Sequence, residues 1–443
     1  MFNLRLHKIN LFIIIILLLL TINVRAADEE MYIGKWQGAI VINEQNLNIL
    51  INFEKIGNTL KGTIDIPQQN LTDYPVEIKE LTGENIVFLL NNIPGDPTFS
   101  GSLNEDRIEG EFSQHGSSDN FFLKRDTSSQ KEVDQIKLKG REEEISIPVR
   151  GGNLEGTLTF PKVHDNKDPI AIIIAGSGPT NRNGNTPLIN MKINNLKDIA
   201  YHLANNGILS IRFDKRGVGE SSNLIEKKTP PFSQYRNDII NIIDYIKRNL
   251  GRREEQIFLI GHSEGSTLAI MTADKVNNLA GLVLLAGPGF KQETLLKNQL
   301  ARQNKILYEN DKIESEDILI RALDDLIIAI ENEQEFNINE YNIPEQYRNV
   351  YLSLNNQREF SKEWLKTDPA SILSNLHTPT CIIQGSNDQQ VSKEDAEKLS
   401  KAVNDEIEDY HYIEGVNHLL FKEQNQVDEE VLRYIVNFIK QNK

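Results

Sequence analysis

Ile257-Phe258-Leu259-Ile260-Gly261-His262-Ser263-Glu264-Gly265 runs from a wholly apolar stretch into a tight polar turn, and Ser266 to Lys275 continues in helical period. A Gly-x-Ser-x-Gly match alone says little, because at ordinary glycine and serine frequencies roughly one chain in ten of this length carries it by chance. The setting decides the reading. A strand that passes directly into a helix through this turn holds the serine hydroxyl out on a sharp, strained elbow. Glycine is required at 261 and 265 because a side chain there would strike the turned backbone. Ser263 is the candidate nucleophile, and Gly261, His262 and Gly265 form its elbow.

Working outward, apolar strands are expected at Ile170 to Ala175, Ile208 to Phe213, Leu282 to Ala286 and Cys381 to Gln384. Amphipathic helices are expected at Leu196 to Asn205, Tyr235 to Leu250, Lys393 to Val403 and Glu429 to Lys440. Strands that are apolar throughout suit a sheet buried on both faces, and their alternation with helices gives a doubly wound, mostly parallel α/β sheet. Ile145 to Val149 and Leu154 to Phe160 are expected to open that sheet as a hairpin. Between Ala286 and Cys381 the chain is charged and helical in period, far longer than a crossover needs. Residues 291 to 377 are therefore read as an inserted cap, placed to roof a pocket above the carboxyl ends of the strands.

A serine hydroxyl is a weak nucleophile at neutral pH. It needs a base to accept its proton and a third group to hold that base. In this strand-helix setting the expected chain order is serine, acid, histidine. Of eight histidines only His377, His411 and His418 follow the elbow. His377 precedes a strand, and His411 lies inside the expected last strand, Tyr410 to Ile413. His418 stands in the loop beyond it, where it can reach over the sheet. The acid belongs just past the carboxyl end of an earlier strand, and Ile382-Ile383-Gln384-Gly385-Ser386-Asn387-Asp388 supplies Asp388 there. The strand ending at Ala286 runs instead into Gly287-Pro288-Gly289, which offers no carboxylate. The oxyanion of an acyl-transfer intermediate calls for two backbone N-H donors. Glu264 is expected to supply one through its amide, and Ser177 or Gly178 of Gly176-Ser177-Gly178-Pro179 the other, with Ser177 preferred. The glycine-rich run Asp214 to Ser221 fits no nucleotide fingerprint and reads as a tight structural loop on the rim.

Before residue 127 the pattern is different. Short apolar runs such as Ala39 to Ile42, Ile49 to Phe53, Leu60 to Ile66, Ile86 to Leu90 and Arg107 to Phe112 alternate with turn residues. They predict a small antiparallel barrel or sandwich over residues 28–126. Its Gly34-Lys35-Trp36 resembles the opening strand of lipocalin-like barrels, and an accessory structural role is favoured over a ligand-binding one. Residues 127–144, polar and ending in three glutamates, read as a linker, which leaves 145–443 to the larger α/β domain. At the amino end Arg5 and Lys8 precede the apolar run Leu11 to Leu20, followed by Val24-Arg25-Ala26-Ala27. This is the layout of a secretory signal peptide over residues 1–26, cut near Ala26 or Ala27, and it predicts export to the periplasm or the extracellular space. The apolar run is shorter than the roughly 20 residues of a spanning helix, so no stable membrane insertion is expected once it is removed. The only cysteine, Cys381, excludes an intramolecular disulfide and reads as a core residue. With a formal charge of −16 the surface repels nucleic acid.

Four stretches together carry a resemblance. They are Gly176-Ser177-Gly178-Pro179 with Arg182 and Gly184-Asn185, Asp214-Lys215-Arg216-Gly217, the elbow itself, and Gly415-Val416-Asn417-His418-Leu419. With them the chain resembles secreted bacterial α/β-hydrolases of the serine aminopeptidase-like superfamily, especially esterases that carry a small β domain before the hydrolase. Two departures stand out: Asn181 where the family usually has Asp, and Ser266 where a second glycine is common. The resemblance implies hydrolysis of short-chain carboxylic esters with Ser263, Asp388 and His418 as the triad. No metal or other cofactor is called for, and the partner is a small-molecule ester. Two rivals remain: an exopeptidase using the same triad, with cap acids such as Glu314, Glu316 and Asp317 holding a substrate's amino group, and a binding protein with an inactive hydrolase domain. A dehalogenase or epoxide hydrolase is disfavoured, since those sites use Asp at the elbow.

Overall fold

The computed structural model describes residues 31–443 apart from 43–44, 57–58, 67–68, 70, 92, 94, 115–116, 126–135, 188–191, 225–228, 310–312, 314, 316, 404–407 and 423–425. The expected signal peptide lies outside the described residues. The chain forms two compact units that divide at Val133/Asp134.

The smaller unit is a closed antiparallel barrel of β1 (Gly34–Ile42), β2 (Gln45–Ile56), β3 (Thr59–Ile66), β4 (Leu71–Thr82), β5 (Asn85–Leu89), β6 (Thr98–Asn104), β7 (Arg107–Gln114) and β8 (Ser117–Arg125). Pairing of β1 with both β2 and β8 closes the ring, so the barrel and not the sandwich is the outcome. Period-2 patterning sends every second side chain inward. In β5 Ile86 and Phe88 are buried while their neighbours are not. The interior is ring against ring: Phe88 stacks on Phe99 at 4.7 Å, and Phe121 meets Phe99 edge-on at 5.1 Å. Trp36 is wholly buried, donates its indole N-H to the Tyr32 carbonyl at 2.7 Å, and lies under the Arg125 guanidinium at 4.2 Å. The interior is thus a packed core.

The larger unit holds an eight-stranded sheet in the order β16-β15-β14-β13-β11-β12-β10-β9. Its strands are β9 (Arg141–Val149), β10 (Gly152–Phe160), β11 (Ile170–Ile174), β12 (Leu209–Phe213), β13 (Ile257–His262), β14 (Gly281–Leu285), β15 (Thr380–Gly385) and β16 (Glu408–Ile413). The hairpin β9-β10 and the β10-β12 pair are antiparallel, and the rest are parallel. Helices α1 (Asn195–Asn205) and α2 (Phe232–Asn249) separate the early strands, and α3 (Glu264–Ala273) follows β13. Alternate residues of each central strand enter opposite cores. Ile172, Ile174 and Leu259 pack with Ile239 and Ile242 of α2, while Ile173, Phe258 and Ile260 pack with Leu196 and Ile199 of α1. The chain leaves β11 toward β12 on one side and returns to β13 on the other. Such a reversal opens a crevice at the carboxyl ends of β11 and β13, the place where open α/β sheets bind ligands.

The expected cap is helical: α4 (Gln292–Glu309), α5 (Ile318–Glu331), α6 (Glu345–Asn356), α7 (Arg358–Lys366) and α8 (Pro369–Leu373) lie between β14 and β15. Leu300, Leu319, Leu323, Tyr351 and Trp364 belong to the same apolar cluster as Leu268 of α3, so the cap shares a core with the sheet. Two further helices, α9 (Lys393–Ser400) and α10 (Glu429–Gln441), follow β15 and β16.

One boundary differs from expectation. The glutamates read as the end of a linker over 127–144 lie in β9, which begins at Arg141. Glu142 pairs with the buried Arg212 of β12 and accepts from Tyr201 at 3.0 Å, while Glu144 accepts from Thr157 at 3.1 Å and pairs with Arg182. An acidic run reads as solvated when its partners lie 38 and 70 residues away. Residues 126–135 of the expected linker lie outside the described residues.

Candidate active site

Ser263 sits between β13 and α3 with φ 55° and ψ −124°, a left-side backbone conformation that a non-glycine residue adopts only when its surroundings enforce it. The enforcement is visible. Its amide donates to the Leu285 carbonyl at 2.8 Å, and its carbonyl accepts from the Ser266 amide at 2.9 Å. A Cβ on Gly261 would stand 2.3 Å from the Gly265 carbonyl oxygen, and one on Gly265 would stand 2.3 Å from that of Ile174. Backbone therefore approaches backbone at both positions, as the sequence requires.

Asp388 and His418 come from the loops after β15 and β16, neighbouring parallel strands. His418 Nδ1 lies 2.9 Å from Asp388 Oδ2. An ionised carboxylate accepts, so Nδ1 carries the proton and Nε2 is left with its lone pair. The Asp388 side chain is wholly buried, and its other oxygen accepts from the amides of Gln390 at 2.8 Å and Val391 at 3.0 Å. Burial alone would raise its pKa; His418 and these two amides outweigh that and hold it below the usual carboxylate value. The residue before the serine ties the His418 loop to the elbow, because His262 Nε2 donates to the His418 main-chain carbonyl at 2.7 Å. Burial, then the neighbouring His418, push the His262 pKa down to about 4, so this ring is a neutral strut at neutral pH. His411 instead stacks on Tyr434 at 3.5 Å within the sheet-helix packing, and His377 precedes β15.

The loop after β11 meets the elbow directly: a Cβ on Gly176 would lie 3.1 Å from the Ser263 Cβ. Ser177 is buried and its carbonyl accepts from Thr180 at 2.9 Å; Gly178 takes φ 75°. Glu264 opens α3, and the first amides of a helix have no acceptor within it. The crevice of the sheet, the elbow, the Asp388–His418 pair and two backbone stretches suited to an oxyanion thus occupy one end of the fold.

The profile of the serine aminopeptidase family (S33) matches residues 189–328, which include the elbow. Over that stretch the chain is similar to this family, and its sheet order with the strand–Ser263–helix turn is that of an α/β-hydrolase fold. It is similar to Esterase EstD of Thermotoga maritima, 26% identical over 279 residues, 62% of this chain and 60% of that protein. It is also similar to the monoglyceride lipase homolog of Monkeypox virus, 24% identical over 254 residues, 55% of this chain and 83% of the viral protein. The chain thus spans less than two thirds of the length of EstD. Among solved structures, the Pyrococcus furiosus esterase Pf2001 superposes with a TM-score of 0.46 at 16% identity, covering 68% of this chain and 91% of that one.

In the larger unit the run Asp214 to Ser221 is a structural loop, as its spacing indicates. The buried Asp214 accepts from the Arg182 amide at 2.7 Å, from the Arg182 guanidinium at 2.8 Å and from the Glu220 amide at 3.0 Å. Arg216 pairs with Asp238 of α2 at 2.5 and 2.7 Å. The two departures from the family pattern are absorbed locally. Asn181 Oδ1 accepts from the amides of Asn183 and Asn185 at 3.0 Å each, and Ser266 donates to the Gly261 carbonyl at 2.8 Å. Of the cap acids, Asp317 is exposed and engaged with Ser315 and Arg321, whereas Glu314 and Glu316 lie outside the described residues.

Three buried groups escaped the sequence reading. The Glu264 side chain accepts from Trp364 of α7 at 3.0 Å, and Lys215 donates to the Gly176 carbonyl. Burial pushes Glu264 up while Lys215, then Trp364, pull it back. Burial pushes Lys215 down to about 8 against the attraction of Glu264. The signal for Lys215 and Glu264 was their placement inside recognised motifs. Trp364 lies 100 residues from its partner and gave none.

Among the described residues no helix is long and apolar enough to cross a membrane.

Proposed function

We propose that this protein hydrolyses carboxylic esters of short acyl chains through an acyl-enzyme on Ser263. The observation that carries the reading is the His418–Asp388 hydrogen bond at 2.9 Å, with the His418 loop tied to the serine elbow by His262. His418 Nε2 takes the proton from Ser263 Oγ as that oxygen attacks the ester carbonyl carbon. The carbonyl oxygen becomes an anion, held by the amide of Glu264 and that of Ser177 or Gly178. Collapse expels the alcohol, which leaves with the proton from His418. Water then attacks the acyl-enzyme, His418 again accepts a proton, and it returns that proton to Ser263 Oγ as the acyl C–O bond breaks and the acid departs. Asp388 stays ionised throughout and stabilises the imidazolium. The name of the Thermotoga relative supports the ester over other acyl bonds.

The family profile favours a second reading, an exopeptidase on the same triad. Such an enzyme needs a carboxylate for the substrate's ammonium. Glu264, the acid nearest the nucleophile in sequence, is already engaged by Lys215 and Trp364, which weighs against it. Turnover of a short-chain nitrophenyl ester and of an aminoacyl nitroanilide by the same preparation separates the two, and the ester is expected to react faster. A binding protein with an inactive hydrolase unit predicts no turnover of either. Export, proposed on residues 5–27 alone, predicts a mature amino terminus at Ala27 or Asp28 by mass spectrometry of secreted material.

A further inference from the structure

Lys215 is a buried cation to which the acyl-transfer steps give no part. It is 2% exposed, follows β12, and donates its ammonium to the carbonyl of Gly176. The peptide between Gly176 and Ser177 is planar and trans, so its N-H points opposite to its C=O. Whatever grips the Gly176 oxygen therefore also fixes the direction of the Ser177 N-H. The grip lies close to the reaction centre, since a Cβ on Gly176 would sit 3.1 Å from the Ser263 Cβ and 3.3 Å from the His262 carbonyl oxygen. The buried carboxyl group of Glu264 attracts the ammonium against the cost of burial, and Glu264 is the residue whose own amide opens α3.

We infer that Lys215 is a positioning residue that locks the Gly176–Ser177 peptide with its N-H toward the oxyanion. The inference rests on the esterase reading above and adds to it a cause for the geometry of the second donor. A flexible glycine peptide without this grip can rotate, and a rotated peptide would present a carbonyl dipole where the anion develops. Misplacing one oxyanion donor is expected to lower kcat about 100-fold. Binding of the ground-state ester, which makes no use of that donor, is expected to stay within about threefold.

The test compares the full-length protein with Lys215→Met and with Lys215→Met/Glu264→Gln, the second variant removing both charges so that no lone carboxylate is left buried. A short-chain nitrophenyl ester supplies kcat and KM, and an alkyl boronic acid, which becomes a tetrahedral anion on the serine, reports the oxyanion site. The inference predicts kcat down about 100-fold in both variants, KM nearly constant, and the boronate Ki rising in proportion to the loss in kcat/KM. Wild-type kcat and boronate Ki in the folded double variant overturn it, as does a KM rise that accounts for the whole loss. Ser263→Ala separates this from the reading beneath it. If that variant hydrolyses the ester at the wild-type rate, the esterase reading itself fails; if it is inactive while the double variant is fully active, only the role of Lys215 fails.

Discussion

The inside of the barrel and the carboxyl edge of the larger sheet are both buried, and they are buried with opposite chemistry. In the barrel, aromatic rings pack on one another around Phe88, Phe99 and Phe121, and the one indole N-H is satisfied by the Tyr32 carbonyl. At the sheet edge lie Asp388, His418, His262, Glu264 and Lys215, with Arg182, Asp214, Arg216 and Asp238 behind them. Burying an apolar ring stabilises a fold outright, whereas burying an ionisable group costs several kcal/mol unless every charge and N-H finds a partner. A chain tolerates that arrangement where it needs preset charge for chemistry, and strained or shifted groups gather there. Ser263 at φ 55° is the backbone counterpart of the same choice. The contrast teaches that the two units divide labour: one is built for packing, the other stores polar order.

Breaking the comparison at its strongest point means removing the acid. Asp388→Asn keeps the shape but offers His418 the wrong hydrogen-bonding partner, and kcat for a nitrophenyl ester is expected to fall roughly 10,000-fold with a folded, cooperative melt. A loss under tenfold would take Asp388 out of the account. The next effect is smaller. Trp364→Phe keeps the ring in the shared core and deletes only the N-H to Glu264, so kcat/KM is expected to drop roughly tenfold; an unchanged value would leave the cap without influence on the elbow.

Proton linkage sharpens the contrast further. With the His262 pKa held at about 4 in the folded chain and near 6.5 when unfolded, the unfolded state binds the extra proton between those values. Stability must therefore fall as pH drops from about 6.5 toward 4 and level off below, by on the order of 3 kcal/mol for this group. Tm measured across that window is expected to decline less steeply in His262→Asn than in the wild type, and parallel slopes would remove His262 as the source. The smallest effect on turnover belongs to the barrel. Phe99→Ala is expected to destabilise that unit by about 3–5 kcal/mol and to leave kcat of the folded enzyme within about twofold. A large loss of kcat would give the barrel a part in catalysis.

What could be read in advance follows the same division. The elbow, its flanking strand and helix, and the loops holding Asp388 and His418 are each local patterns, a few residues of fixed order at the end of an apolar strand, and local patterns survive in a sequence. The barrel strands were legible by period 2, but their closure was not, because pairing of β1 with β8 joins Trp36 to Arg125 across the whole unit. Glu142 and Glu144 looked like linker for the same reason: the arginines that make them strand residues lie far along the chain. Glu264 is the sharpest case. Its amide was assigned from its position after the serine, whereas its carboxylate, clasped by Trp364 and attracted by Lys215, depends on two other loops folding onto it.

The central claim is that Ser263 forms the covalent intermediate. Rapid mixing of the full-length protein with a short-chain nitrophenyl ester, followed by labelling with a fluorophosphonate and peptide mapping, tests it most directly. The account predicts a burst of nitrophenol close to one per chain, label confined to the peptide holding Ser263, and neither burst nor label in Ser263→Ala. Hydrolysis at the wild-type rate by Ser263→Ala, or label on a different residue of the active wild type, would contradict it.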